Sequence, residues 1–231
     1  MSAVFQLASG VSFCRADGRI VFFHLTRERY FQLTDEQADW FGILTADQGP
    51  GDLPHKVAAF AARLEAIGLL QKTSAPSVPI HEHRVQEPSC SAMDFPLKTT
   101  PRHPLSLLPG VAGAGFLVWT SLRSKGLAFT LSALRRQKQI SQAKVSDDVS
   151  ASAALATEFL GWSPFLFTSH DACLFRSLAL ARFLFVRSIP ACLVIAVRCQ
   201  PFRAHAWVQH EGTVLNEHLE TARSYSPIYS V

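Results

Sequence analysis

Nowhere in this sequence do two cysteines stand two to four residues apart: Cys14, Cys90, Cys173, Cys192 and Cys199 are scattered and odd in number. The paired spacing of a structural zinc site is therefore missing, and a disulfide scaffold is not expected. The trio His81-Glu82-His83 does not change this, because three adjacent residues cannot supply a full metal shell and their surroundings read as exposed polar linker. No metal and no cofactor is expected. Long basic runs are also lacking: the net charge is only +4 and the densest cluster is Arg135, Arg136 and Lys138, without the interleaved aromatics of a nucleic-acid groove. The opening Met-Ser-Ala-Val-Phe has no basic stretch followed by an apolar core, so export through a signal peptide is not expected and a reducing cytoplasm is. Charge is scarce, at 17% against 48% hydrophobic residues, which excludes the composition of a disordered chain.

What is present suffices for two domains, since 231 residues with 17 Phe can bury a small core and a medium one. One stretch, Pro104 to Leu122, runs 19 residues without a charge, close to the length of a membrane span. Pro109, Gly110, Gly113 and Gly115 weaken it as a lipid-facing helix, and basic residues flank both ends without an orientation signal. A buried core helix is expected there, not a membrane span.

From Val11 to Leu33 apolar and β-branched residues surround Asp17-Gly18, a dipeptide suited to a two-residue hairpin turn, and Arg29 to Leu33 makes a third strand. Thr34 ahead of Asp35, Glu36 and Gln37 reads as the cap of a helix that Gly49-Pro50-Gly51 stops. A second helix around Pro54 to Ile67 places Val57, Phe60, Ala61, Leu64 and Ile67 at three- and four-residue spacing, with Gly68 as its cap. Residues 73–103 hold proline, serine and scattered charge without a period, which reads as a linker. Helical sequence continues the chain over Leu105 to Gln137 and Asp148 to Leu160, the latter capped by Ser146 or a neighbour. Asp171 then precedes a nearly all-apolar helix over Ala172 to Val186, and Ala191 to Val197 reads as a central strand.

Cys173 falls in the first turn of that helix, where free amide groups and the dipole favour a thiolate. A small apolar core residue would fit the same position. His205 lies in an alternating strand, Ala204 to Val208, followed by Gly212 and a second strand through Val214-Leu215-Asn216-Glu217. If His210-Glu211-Gly212 forms a three-residue loop, Gln209 pairs with Thr213 and His205 falls opposite Glu217 on one face. A two-residue loop puts them on opposite faces. The first case arranges nucleophile, base and orienting acid. The second leaves a core histidine and a solvated acid.

The runs Asp171-Ala-Cys-Leu-Phe-Arg-Ser-Leu-Ala-Leu, Phe202-Arg-Ala-His-Ala-Trp-Val-Gln and Val214-Leu-Asn-Glu resemble the transglutaminase-like cysteine peptidase of lasso peptide biosynthesis, the B protein, over roughly residues 104–231. Residues 1–72, with Asp17-Gly18, Arg29-Tyr-Phe-Gln-Leu-Thr and Gly68-Leu-Leu, resemble the PqqD-like domain that captures leader peptides. The resemblance implies an α+β protein: a small winged-helix-like domain (1–72), a proline-rich linker (73–103) and a papain-like peptidase domain (104–231). It implies Cys173 as nucleophile, His205 as base and Glu217 as orienting acid, where the family usually has aspartate, with Trp207 as the family's tryptophan beside the histidine. The implied activity is removal of the leader from a lasso precursor, freeing the core amine for an ATP-dependent lasso cyclase, the C protein. Leader capture is expected by strand addition beside Arg29, Tyr30, Phe31, Gln32 and Leu33, with packing on the helix of Val57, Phe60 and Leu64. Two other functions use the same features: transglutaminase-type acyl transfer, and a non-catalytic precursor chaperone.

Overall fold

The computed structural model describes residues 4–46, 53–73, 80–94, 104–141, 148–166 and 173–231. The readings that rest on Gly49-Pro50-Gly51, on Ser146 and on Asp171 lie outside the described residues. The chain divides into two compact units, Met1–Arg84 and Val85–Val231.

The first unit runs β1 (Val4–Leu7), β2 (Val11–Ala16), β3 (Arg19–His24), β4 (Arg29–Gln32), α1 (Asp35–Thr45), α2 (His55–Ala66) and β5 (Leu70–Thr73). Asp17 and Gly18, at φ 49° and 76°, make the expected two-residue turn. From it β2 and β3 pair at six positions, Ala16 with Arg19 through Val11 with His24. β4 joins the far side of β3, giving the order β2-β3-β4. Thr34 caps α1 as its sequence suggests: its hydroxyl accepts from Gln37 N at 3.3 Å while Gln37 Oε1 accepts from Thr34 N at 3.1 Å. The apolar stripe of α2, with Val57, Phe60, Ala61 and Leu64, is buried. Phe60 and Leu64 join a core with Phe13, Ile20, Phe22 and Phe41, in which Phe41 sits edge-on to Phe13 and Phe22 at 5.2 and 5.1 Å. Gly68, at φ 75°, turns the chain into β5, which pairs antiparallel with β1. That two-stranded sheet was not legible, because Leu-Gln-Lys-Thr is short and mostly polar.

The second unit runs β6 (Cys90–Ser91), a 3-10 turn (Leu105–Leu107), α3 (Leu108–Ser141), α4 (Val149–Leu166), α5 (Cys173–Val186), β7 (Cys192–Cys199), β8 (Phe202–His210), β9 (Thr213–Val214), α6 (Leu219–Arg223) and β10 (Ser226–Ser230). Its sheet has the order β10-β7-β8-β9-β6, with β6 parallel to β9 and the other pairs antiparallel. Asp148 starts α4, its carboxylate accepting from Ser150 N and Ala151 N at 2.9 and 3.1 Å. α5 is buried over Ser177 to Ala181 and Phe183 to Phe185, as its apolar sequence requires.

Two expectations change. Within the stretch read as linker, residues 80–94 are built into the fold. In the first unit Ile80 packs on the core, His83 N donates to Phe13 O at 2.9 Å, and Arg15 N donates to Glu82 Oε1 at 2.6 Å. In the second, β6 extends the sheet and Gln86 O accepts from Gln209 Nε2 at 2.8 Å. Backbone pairing needs no side-chain period, so a polar, proline-broken sequence hides it. α3 also departs from a buried core helix. It is kinked at Gly126, whose φ of 77° breaks the helical path, and it buries only one stripe, including Val111, Ala114 and Val118. Phe116 and Trp119 on another face are 63% and 52% exposed. It is the one helix among the described residues long and apolar enough to cross a membrane, yet one of its faces is packed into the protein.

Candidate active site

Cys173 is the first residue of α5, so its sulfur lies where the helix presents unpaired N–H groups. Its thiol is held below the ordinary thiol value, chiefly by a hydrogen bond with His205; burial opposes this, and the N–H groups of Ala206 and Leu174 assist it. Cys192, by contrast, is pushed up by burial, so the fold shifts the two thiols in opposite directions.

His205 projects from β8. Its imidazole is raised to about 9, first by the hydrogen bond with Cys173 and then by Glu217. Nε2 lies 2.7 Å from Glu217 Oε2, which leaves Nδ1 for the thiol. Glu217 is held below the usual carboxylate range, chiefly by His205. Its other oxygen, Oε1, accepts from His218 N at 2.9 Å, so both carboxylate oxygens are engaged. A lowered thiol hydrogen-bonded to a raised imidazole favours the thiolate-imidazolium pair.

The contact between His205 and Glu217 arises by a different route from the one the strand count supplies. The loop between β8 and β9 has two residues, Glu211 and Gly212 at φ 48° and 75°, and His210 pairs with Thr213. Continued pairing would set His205 opposite His218 and turn Glu217 to the other face. The ladder stops first. Leu215 N donates to Val208 O at 2.8 Å, but Val208 N donates to the side-chain Oδ1 of Asn216 at 2.7 Å instead of to a strand carbonyl. The chain leaves β8 at this point, and Glu217 comes back to His205 beside the edge of that strand that β9 no longer pairs.

Asn216 has a second task. Its Nδ2 donates to Ser177 Oγ at 2.9 Å, and Ser177 Oγ donates to Ala206 O at 2.9 Å. Ser177 lies four residues, about one turn, beyond Cys173, and Ala206 adjoins His205. This clamp ties the thiol's helix to the imidazole's strand. The stretch before α3 contributes as well. Ser91 Oγ donates to Glu217 O at 2.6 Å, while Asp94 pairs with the His218 ring at 2.7 Å and accepts from Leu219 N at 3.1 Å. Asn216, Ser177, Ser91 and Asp94 were not singled out by sequence. Only the polar Ser177 inside an apolar helix could have signalled a buried partner.

Trp207 is buried in the sheet's core, its Nε1 donating to Gln209 Oε1 at 2.9 Å, which is a packing role. Tyr225 stands against the His205 ring at 5.2 Å between centres.

The expected leader-binding residues divide. Among the described residues β4 has a strand partner on one side only, so Arg29, Tyr30, Phe31 and Gln32 lie on a sheet edge. Leu33 is 6% exposed and bonded to Ile20 O. Val57, Phe60 and Leu64 are 2%, 5% and 3% exposed. The spacing that makes them one helix face turns that face into the unit's own core, so in this structure they present almost no surface to a peptide.

The family model Transglut_core3, transglutaminase-like superfamily, matches residues 115–230, half of the chain. That span contains all three side chains of the cysteine, histidine and glutamate cluster. Among curated proteins, the chain is 53% identical over 45 residues to the Microcin J25-processing protein McjB of Escherichia coli; the match spans 20% of this chain and 22% of that protein. No solved structure matches.

Proposed function

The chain belongs to the transglutaminase-like superfamily, and on that footing we propose that it is a cysteine peptidase of lasso peptide biosynthesis that cuts the leader from a precursor peptide. The observation that carries this reading is the grouping of Cys173, His205 and Glu217: the imidazole is bonded to Glu217 at 2.7 Å and raised to about 9, and the Cys173 thiol is lowered chiefly through that imidazole. The similarity to a microcin-processing protein supports the choice of a peptide substrate. The Cys173 thiolate attacks the carbonyl at the junction of leader and core. The His205 imidazolium then gives its proton to the departing amine, and Glu217 keeps the ring oriented and its charge favoured. The leader is left as a thioester on Cys173. Neutral His205 takes a proton from water, and the resulting hydroxide releases the leader.

The core leaves with a free amine, the group a partner ATP-dependent cyclase needs to close a macrolactam. The first unit, as a small winged-helix-like PqqD-type domain, captures the leader by pairing it with the open edge of β4, where Arg29 and Gln32 are exposed and Tyr30 and Phe31 half-buried. A reducing cytoplasm suits a free catalytic thiol.

The test is incubation of the purified chain with a lasso precursor peptide, the products being weighed by mass spectrometry. Free leader and core support the peptidase. A leader joined to an added amine identifies acyl transfer instead, and intact precursor that stays bound identifies a carrier. Cys173→Ala is expected to lower cleavage by at least about 10⁴-fold while leaving leader affinity unchanged. Cys192→Ala and Cys199→Ala are expected to cleave.

A further inference from the structure

The sheet beside His205 carries two cations that no acidic group among the described residues neutralises. Arg198 of β7 and Arg203 of β8 are direct cross-strand partners, and Ala196 and His205 are the partners two positions along. Side chains alternate along a strand and cross-strand partners project together, so Arg198, Arg203 and His205 share one face. Like charges placed directly opposite destabilise a sheet. Neither arginine takes part in an ion pair among the described residues. Arg198 Nε is buried and has no hydrogen-bond acceptor among the described residues. The Arg198 guanidinium lies 5.2 Å from the centre of the Tyr225 ring, and that ring lies 5.2 Å from the imidazole of His205. Arg198 is thus packed toward the site through Tyr225, while Arg203 is exposed to solvent.

A fold retains an opposed pair of this kind at low cost when an anion sits across it, and two guanidinium forks match a carboxylate in both charge and shape. We propose that Arg198 and Arg203 form a subsite for a carboxylate-bearing side chain of the peptide substrate. This rests on the peptidase reading above. The arginines stand two strand positions, about 7 Å, from His205, and an extended peptide advances about 3.3 Å per residue, so the acidic residue lies within about two residues of the bond cut.

Iodoacetate and iodoacetamide test this. With either reagent the thiolate sulfur displaces iodide and forms a thioether; they are similar in size, and only iodoacetate carries a carboxylate. The rate at Cys173 is followed by peptide mass spectrometry, which separates it from the other four cysteines. The readout is the iodoacetate-to-iodoacetamide rate ratio, so any general change in thiolate reactivity cancels. At low ionic strength the ratio for the wild-type chain is expected to exceed that of glutathione. In Arg198→Gln/Arg203→Gln it is expected to fall by roughly three- to tenfold, with Arg203→Gln alone giving part of the fall and Arg203→Lys restoring it. A ratio unchanged in both the double variant and Arg203→Gln overturns the subsite. Brisk iodoacetamide labelling with that unchanged ratio leaves the peptidase reading standing. No labelling of Cys173 by either reagent overturns both.

Discussion

Two hairpins in this chain close on the same kind of turn and then diverge. Asp17-Gly18 and Glu211-Gly212 both place two successive residues at positive φ, 49° and 76° in the first, 48° and 75° in the second. Beyond the first turn the strands pair at six positions, and beyond the second at two. The first hairpin contributes Phe13, Ile20 and Phe22 to a hydrophobic core, so every added pair buries apolar surface. In the second, Asn216 supplies from its side chain the acceptor that the next strand carbonyl would have supplied, and the ladder ends without stranding a buried N–H. A turn therefore sets register, while the side chains beyond it decide how long the register lasts. The site is built in the gap where it stops.

The contrast can be broken at several places. The largest effect is expected at Glu217, the residue the ended ladder releases. Glu217→Gln is expected to lower kcat by about 10- to 10⁴-fold, because a neutral amide neither holds the ring's tautomer nor favours its charge. Glu217→Asp should retain more activity than the amide. A folded Glu217→Ala chain that cleaves at the wild-type rate would place the orienting acid elsewhere. Next is Asn216→Leu, which leaves Val208 N without its acceptor and cuts the Ser177 clamp. A loss of about 1–3 kcal/mol in urea unfolding is expected, with a kcat deficit that persists in the folded fraction. A variant stable and fully active would mean that the side-chain acceptor does not hold the strand away.

A smaller difference separates the two turn glycines. Gly18→Ala adds a Cβ with no atom of the described residues within 4 Å, so it meets backbone strain alone, about 1 kcal/mol. At Gly212 the added Cβ lies 3.3 Å from both Gln86 Nε2 and Ser89 Oγ, so Gly212→Ala should cost more. Equal shifts in the urea midpoint would remove the distinction.

The smallest expected effect is on pH dependence, which runs in opposite directions in the two units. His205 is raised from 6.5 to about 9, so its contribution to the second unit is complete below 6.5 and lost as pH rises through about 9. Cleavage should decline over the same alkaline range, as the proton needed by the departing amine is lost. His24 in the first unit is lowered from 6.5 by burial and then by Arg27, so its contribution is present above 6.5 and lost as pH falls below it. Above pH 4.5, below which the lowered Glu217 also withdraws its contribution to the second unit, calorimetry of the whole chain should show mild acid weakening the first unit's transition and alkali the second's. Both transitions moving together would contradict this.

Local pattern determined a good part of this protein. The Asp17-Gly18 turn, the Thr34 cap, the apolar stripe of α2, the position of Cys173 at a helix start and the strand carrying His205 all follow from backbone preferences and from periods of two and 3.6, which act over a few residues. Tertiary structure decided the rest. It turned Val57, Phe60 and Leu64 into a core, because a helix face is apolar whether it meets its own sheet or a partner. It left Phe116 and Trp119 exposed, since hydropathy reports what a residue prefers and not which stripe finds a neighbour. It also brought Glu217 to His205 through Asn216, and Ser91 to the backbone of Glu217 across 126 positions of sequence. Such contacts exist only once α5, β8 and the stretch before α3 have packed, because a hydrogen bond between distant residues depends on the path of the folded chain and leaves no period in the sequence.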